Sequence, residues 1–240
     1  GKLKLKKSTL FFYSLAEMPI NIALFPILVF IPKFYTGEMG VPLALAANII
    51  LAVRIFDVFT DPIVGYINDR TNTKWGRRRP WIAMATPLLM VSIYMLFIPP
   101  EGAGALHLFL WMFLLSIATT MLIIPYYAWG AELSPDYNER SRITGWRSIS
   151  GVVGSLSAQL IPTIALVFFG LGGSTNVLYI VGIASVIIMP ICVFLTVSKV
   201  PESKDYIKSN ISPIKGFKIM LENSPFKRLI MAFMFGGIAF

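Results

Sequence analysis

The sequence predicts an all-α membrane protein with six spans and the start of a seventh, on three observations. Of 240 residues, 56% are hydrophobic and only 14% charged, and mean hydropathy is +0.72. A soluble domain of this length carries about a quarter charged residues. Six runs reach the about 20 mostly apolar residues that cross a bilayer, at roughly 9–35, 41–67, 81–99, 106–130, 146–170 and 176–198. The basic residues lie in short patches between these runs. A net charge of +9 in a soluble chain would point to nucleic acid; distributed this way it is the positive-inside pattern of a membrane protein, and no nucleic-acid partner is expected.

The first run holds Glu17 and three prolines, Pro19, Pro26 and Pro32. It is too long for the apolar core of a signal peptide. Its prolines free backbone carbonyls, which are tolerated at membrane depth where they line a cavity or meet other helices. Between runs two and three stand Arg70, Lys74, Arg77, Arg78 and Arg79; between four and five, Arg140 and Arg142. With the N-terminal lysines and those after run six, they put every Lys and Arg except Lys33, Arg54 and Arg147 on one side. That side is expected to be cytoplasmic, with the N-terminus there, in a plasma or inner membrane. The opposite connections, Gly37–Gly40, Pro99–Ala105 and Gly170–Thr175, are too short for an extracellular domain. Residues 1–199 thus form a six-helix bundle and 200–224 a middle loop, with 225–240 opening a seventh span that ends before it can cross. Ile214, Phe217, Met220 and Leu221 give the loop a short amphipathic helix or a solvated linker helix. Cys192 has no partner for an intrachain disulfide and reads as packing.

Run two contains the residues most costly to place in hydrocarbon. Arg54, Asp57 and Asp61 fall at i, i+3 and i+7, on one helical face. Intramembrane ions survive where they face a bundle interior, pair with each other or hold a transported ion. Two carboxylates one turn apart repel in a low dielectric. A bound Na⁺, a shared proton or Arg54 offsets that repulsion, and Thr60 adds a hydroxyl beside the pair. The readings are a cation or proton site, or a structural Arg54–Asp57 pair; the two are compatible.

Other polar groups sit at membrane depth. Glu17 and Asn21, at i and i+4 in run one, face the same way and read as cavity-lining. Arg147 opens run five and either reaches a central cavity with its fork of donors or snorkels to the interface. Gly151, Gly154, Ser155 and Ala158 follow as a small-residue face for close helix contact. In run four, Thr119 and Thr120 precede Pro125, and Tyr126, Tyr127 and Trp129 form an interfacial belt or line a gate and substrate path. His107, the one histidine, reads as an interface residue. No nucleophile–base, Walker-type or metal-ligand spacing is present, so an enzyme is not expected.

Three blocks carry a family resemblance. The first is Arg54-Ile-Phe-Asp57-Val-Phe-Thr60-Asp61-Pro62-Ile-Val-Gly65-Tyr-Ile-Asn-Asp69-Arg70, continuing through Trp75-Gly76-Arg77-Arg78-Arg79-Pro80-Trp81. The second runs from Pro125-Tyr126-Tyr127-Ala-Trp129-Gly130-Ala-Glu132 through Asp136, Glu139, Arg140 and Arg142 to Arg147; the third is Asn223-Ser-Pro225-Phe226-Lys-Arg228. Together they resemble the glycoside–pentoside–hexuronide:cation symporters, the melibiose-permease branch of the major facilitator superfamily. The resemblance implies the N-terminal six-helix half of a twelve-span transporter, with the C-terminal half as a missing partner. It further implies that Asp57, Thr60, Asp61 and Thr120 hold a coupling Na⁺ or H⁺, with no other cofactor. Glu17 would bind sugar, and Arg147 would be a cavity arginine. Asp69, Arg70, Arg77 and Arg78 would form a charge network with Glu132 and with Arg140 or Arg142, latching the ends of the spans. In one departure, Ile123 stands where the melibiose-permease type has an acidic sugar ligand. The expected function is therefore cation-coupled symport of a sugar or glycoside by alternating access. The alternatives are a lysophospholipid or other amphipath as substrate, or a six-span subunit that transports nothing.

Overall fold

The computed structural model describes residues 4–202, 222–225 and 228. Eight helices are described: α1 (Lys7–Ser14), α2 (Glu17–Val29), α3 (Ile31–Gly37), α4 (Leu43–Arg70), α5 (Arg79–Phe97), α6 (Ala105–Glu132), α7 (Tyr137–Phe169) and α8 (Ser174–Lys199). Among the described residues, six segments are long and apolar enough to cross a membrane: α1 with α2 as one unit over Lys7–Val29, then α4, α5, α6, α7 and α8. The amphipathic helix expected near 213–224 falls largely outside the described residues, as does most of the seventh span.

The first span is not the single helix its apolar run predicts. It breaks at Leu15–Ala16 and again at Phe30. The prolines explain both breaks. Pro19 has no N–H to give the Leu15 carbonyl, and Met18 takes that carbonyl in a tighter turn at 3.3 Å. Pro32 cannot serve the Leu28 carbonyl, and Phe30 separates α2 from α3. Pro26, Pro62, Pro87, Pro125, Pro162 and Pro190 lie inside continuous helices.

α2 packs on α7 and α8, α5 on α6 and α8, and α4 on α6. The α2–α7 approach is set by glycine. A Cβ at Gly154 would strike the Met18 carbonyl oxygen, and one at Gly151 would lie 3.2 Å from Asn21 Nδ2. With buried Ala158 these make the small-residue face. α1 is stapled to α6 by two buried hydrogen bonds. The Tyr13 hydroxyl donates to the Tyr126 carbonyl (2.9 Å) and the Tyr126 hydroxyl to the Tyr13 carbonyl (2.7 Å), with rings stacked 4.7 Å apart. α4 and α7 are the most open spans. Only 17% and 22% of their apolar windows are buried, against 39–50% in the others.

Candidate functional site

α4 and α6 meet in two matched pairs of side chains. Asp57 and Asp61 are one turn apart on α4, and Ser116 and Thr120 are one turn apart on α6. Ser116 donates its hydroxyl hydrogen to Asp57 Oδ1, and Thr120 donates to Asp61 Oδ1 at 2.8 Å. Arg54 reaches the other Asp57 oxygen at 3.4 Å from a largely exposed position, so the expected pair forms without enclosing the arginine. These groups border a cavity of about 290 Å³. Its other walls are apolar, from α2 (Leu24, Ile27) and α6 (Met112, Ile123). Thr119 lines it too, with a buried hydroxyl that has no hydrogen-bond partner among the described residues.

Thr60 is not brought to this cavity. Its hydroxyl bonds to the Asp57 carbonyl in its own helix turn, at 3.5 Å, and it is absent from the lining. Threonine inside a helix has its own backbone as the nearest acceptor. Ser116 takes the place beside the carboxylates that Thr60 was expected to fill. Its signal in the sequence was its spacing: it is the i−4 neighbour of Thr120, matching the i, i+4 step of the two aspartates.

A second polar group lies on the same face of α6, seven residues from Thr120 and thus about 10 Å along the axis. Glu17 Oε1 accepts from the Tyr127 hydroxyl (3.1 Å) and from Asn21 Nδ2 (3.3 Å). The Arg147 guanidinium lies 3.9 Å over the Tyr127 ring. Among the described residues, Glu17 Oε2 is buried without a hydrogen-bond partner. Glu17, Asn21 and Arg147 thus converge as expected, but the aromatic among them is Tyr127. Tyr126 is consumed in the α1–α6 staple, and Trp129 is fully buried with its indole N–H on the Pro201 carbonyl at 2.9 Å, so neither forms a lipid-facing belt.

At the basic end of the bundle, Arg78 pairs with Asp69 (2.9 Å) and Glu132 (2.5 Å) and bonds Asn68. Arg77 also pairs with Glu132. Burial works against the Arg78 charge, but Glu132 and Asp69 outweigh it and hold the guanidinium above its ordinary value. Glu202, beyond α8, accepts the backbone N–H groups of Arg77 and Arg78, both at 2.6 Å. Its carboxylate occupies the space a Cβ at Gly76 would need, and Gly76 also has a φ of +114°. Arg140 and Arg142 do not join this network. Arg140 bonds the Ser134 carbonyl (2.9 Å), and Arg142 pairs with Glu139 (2.6 Å), which also accepts the Leu5 N–H. They sit on the first turns of α7, where Ser134 and Glu139 are nearer than Glu132. Arg70 lies 4.2 Å over its own-helix Tyr66. Asn68 and Glu202 carried no sequence signal.

A family model described as "MFS/sugar transport protein" matches residues 12–240. The chain belongs to that family. Its six spans are the N-terminal half of a major facilitator fold, as the glycoside–pentoside–hexuronide resemblance implied. Among curated relatives, it is 28% identical to the isoprimeverose transporter of Lactiplantibacillus pentosus, over 90% of this chain and 46% of that protein. It is 25% identical to the inner membrane symporter YicJ of Escherichia coli, over 78% and 42%. It is 27% identical to the sodium-dependent lysophosphatidylcholine symporter 1 of Mus musculus, over 88% and 47%. The chain therefore spans under half the length of these family members.

Proposed function

We propose that the chain supplies the cation site and half of the substrate path of a cation-coupled symporter. The observation that carries this reading is the double carboxylate–hydroxyl pairing of Asp57, Asp61, Ser116 and Thr120 around a cavity in the middle of apolar spans. Four oxygen side chains carrying up to two negative charges suit a hard monovalent cation, and the same carboxylates suit a proton. Na⁺ is the ion we assign, with H⁺ as the other outcome, and no further cofactor is needed. Structural pairing alone accounts less well for two carboxylates held on one cavity, since a single partner for Arg54 would suffice.

Substrate binding falls to Glu17, Asn21, Tyr127 and Arg147. The free Oε2 of Glu17 and the Arg147 donors suit a hydroxyl-rich sugar or glycoside. A lysophospholipid is the second reading, favoured by the apolar walls that Leu24, Ile27, Met112 and Ile123 give the cavity. Both sites lie on one face of α6, so a shift of α6 against α4 and α2 changes both. If cation and substrate favour the same state, each raises the other's affinity equally. The open faces of α4 and α7 are where we place the second half. The basic connections we assign to the cytoplasmic side of an inner membrane, where the Glu132–Arg77–Arg78–Asp69 network would tie α4, α5 and α6 together and reset during alternating access.

Calorimetric Na⁺ titration of the purified full-length protein tests this, in wild type and Asp61→Asn. Saturable binding abolished by the substitution is the expected result. Absence of Na⁺ binding in wild type, together with uptake that no proton gradient drives, would overturn it.

A further inference from the structure

A second cavity, of about 540 Å³, lies away from the cation site, in the outer seam between α5 and α8. Its mouth is formed by Lys74, Trp75 and Arg79, from the connection before α5 and from α5's first residue. From there it runs inward past Pro87 and Met90 on one wall and Val197 and Pro190 on the other. Arg79 to Met90 is eleven steps along α5, or about 16 Å at 1.5 Å per residue. That is close to the depth of one leaflet of a hydrocarbon core about 30 Å thick. A proline stands in each wall at the inner end, where it leaves out one backbone N–H and crowds the preceding turn.

The mouth is basic without counter-charge in its lining. Among the described residues that border the cavity there is no carboxylate. Lys74 is exposed and makes no ion pair with a described residue. Arg79 donates one N–H to the Val200 carbonyl at 2.6 Å, while its Nε is buried without a hydrogen bond. Glu202 comes within 3.9 Å of that Nε, but its other oxygen is taken by two backbone N–H groups. Trp75, 70% exposed, stands at the level where amphipathic rings meet headgroups.

We propose that this groove binds an anionic phospholipid of the leaflet adjoining the basic connections. Its phosphate lies between Lys74 and Arg79, and one acyl chain runs down to Pro87 and Pro190. The charge at the mouth selects the occupant: two cations at headgroup depth above an apolar slot one leaflet long fit a phosphate on an acyl chain. A basic pocket between spans is where such headgroups are held. An apolar protein helix would leave Lys74 unmatched, and Arg79 with only the Glu202 oxygen 3.9 Å away. This site is independent of the transport reading, and the leaflet is defined by the basic connections themselves.

Trp75 reports on the groove directly. The full-length protein is placed in phosphatidylcholine bilayers, with brominated phosphatidylglycerol or brominated phosphatidylcholine added in steps. The Trp75 emission is taken as the difference between wild type and Trp75→Phe. The expected result is half-quenching at about fivefold less brominated phosphatidylglycerol than brominated phosphatidylcholine, the scale of one basic residue at an anionic surface. That preference should fall to near one in Lys74→Glu and weaken in Lys74→Gln, both exposed changes that leave the helices intact. Equal quenching by the two lipids overturns the proposal, as does a preference that survives Lys74→Glu. Protection of Trp75 from both lipids would also overturn it and assign the groove to a protein segment, residues 203–221 or a second copy.

Discussion

The Ser116 hydroxyl donates to the Asp57 carboxylate across the α4–α6 contact, one turn from the Thr120–Asp61 bond. The pairing puts Ser116 in the proposed cation site and leaves Thr60 outside it. Removing a hydrogen bond to a charged group costs about 1.5–3 kcal/mol, or about tenfold or more in a binding constant. Ser116→Ala should therefore weaken Na⁺ binding by about tenfold in calorimetry on the full-length protein. Thr60→Val, which loses only a bond to its own backbone, should change it by less than about threefold. The reverse order would return Thr60 to the site.

Neighbouring tyrosines on α6 should separate stability from transport. Tyr126 is buried in the staple with Tyr13, so Tyr126→Phe strands the Tyr13 carbonyl and should cost about 1–3 kcal/mol. Its Tm should drop by a few degrees with the substrate KM unchanged. Tyr127→Phe removes the donor to Glu17 and keeps the ring under Arg147. It should raise KM several-fold with little change in Tm. A Tm loss in Tyr127→Phe with a normal KM would assign the Glu17 group to packing.

What the sequence made legible follows from what a one-dimensional pattern holds. Span lengths, the basic side and the cost of Arg54, Asp57 and Asp61 in hydrocarbon all depend on local composition, and all point to this fold. Glu17, Asn21 and Arg147 stood out because a charged or amide side chain at membrane depth is conspicuous wherever it occurs. Ser116 was not conspicuous, since serine is common in apolar helices and its role depends on which α4 face it meets. Tyr126 and Tyr127 were not told apart in the sequence for a related reason. Adjacent residues on a helix point about 100° apart, and only the packing of α1 on α6 says which faces the interior. Arg140 or Arg142 was placed with Glu132 in the charge network by the family resemblance, but the turn at Ser134–Asp136 gives them partners of their own.

The glycines of α7 make a paired test of helix approach. A methyl at Gly154 would meet the Met18 carbonyl, whereas one at Gly145 meets nothing within 4 Å. Gly154→Ala must push α7 off α2, at about 1–3 kcal/mol for overpacking. Gly145→Ala lies in the same helix and should stabilise it by about 0.5–1 kcal/mol through lost backbone freedom. Thermal unfolding of the two variants should thus move in opposite directions. Equal shifts would show that the α2–α7 contact is loose enough to absorb a methyl.

The Glu132 carboxylate is shared by two guanidiniums that are nearly buried, with Arg77 and Arg78 side chains 9% and 4% exposed. A buried pair is weak grounds for stability as such, but breaking one leaves charge that is no longer offset, at about 3–5 kcal/mol. Partial exposure of Glu132 and the remaining Asp69 partner of Arg78 put the expectation for Glu132→Gln at about 3 kcal/mol, the lower end. Arg142→Ala removes the partner of Glu139, a carboxylate only 6% exposed that keeps the Leu5 N–H, and should lower Tm by less than Glu132→Gln, which takes one carboxylate from two guanidiniums. If Glu132→Gln unfolds at the wild-type temperature, the three-span charge network has no role in holding α4, α5 and α6 together.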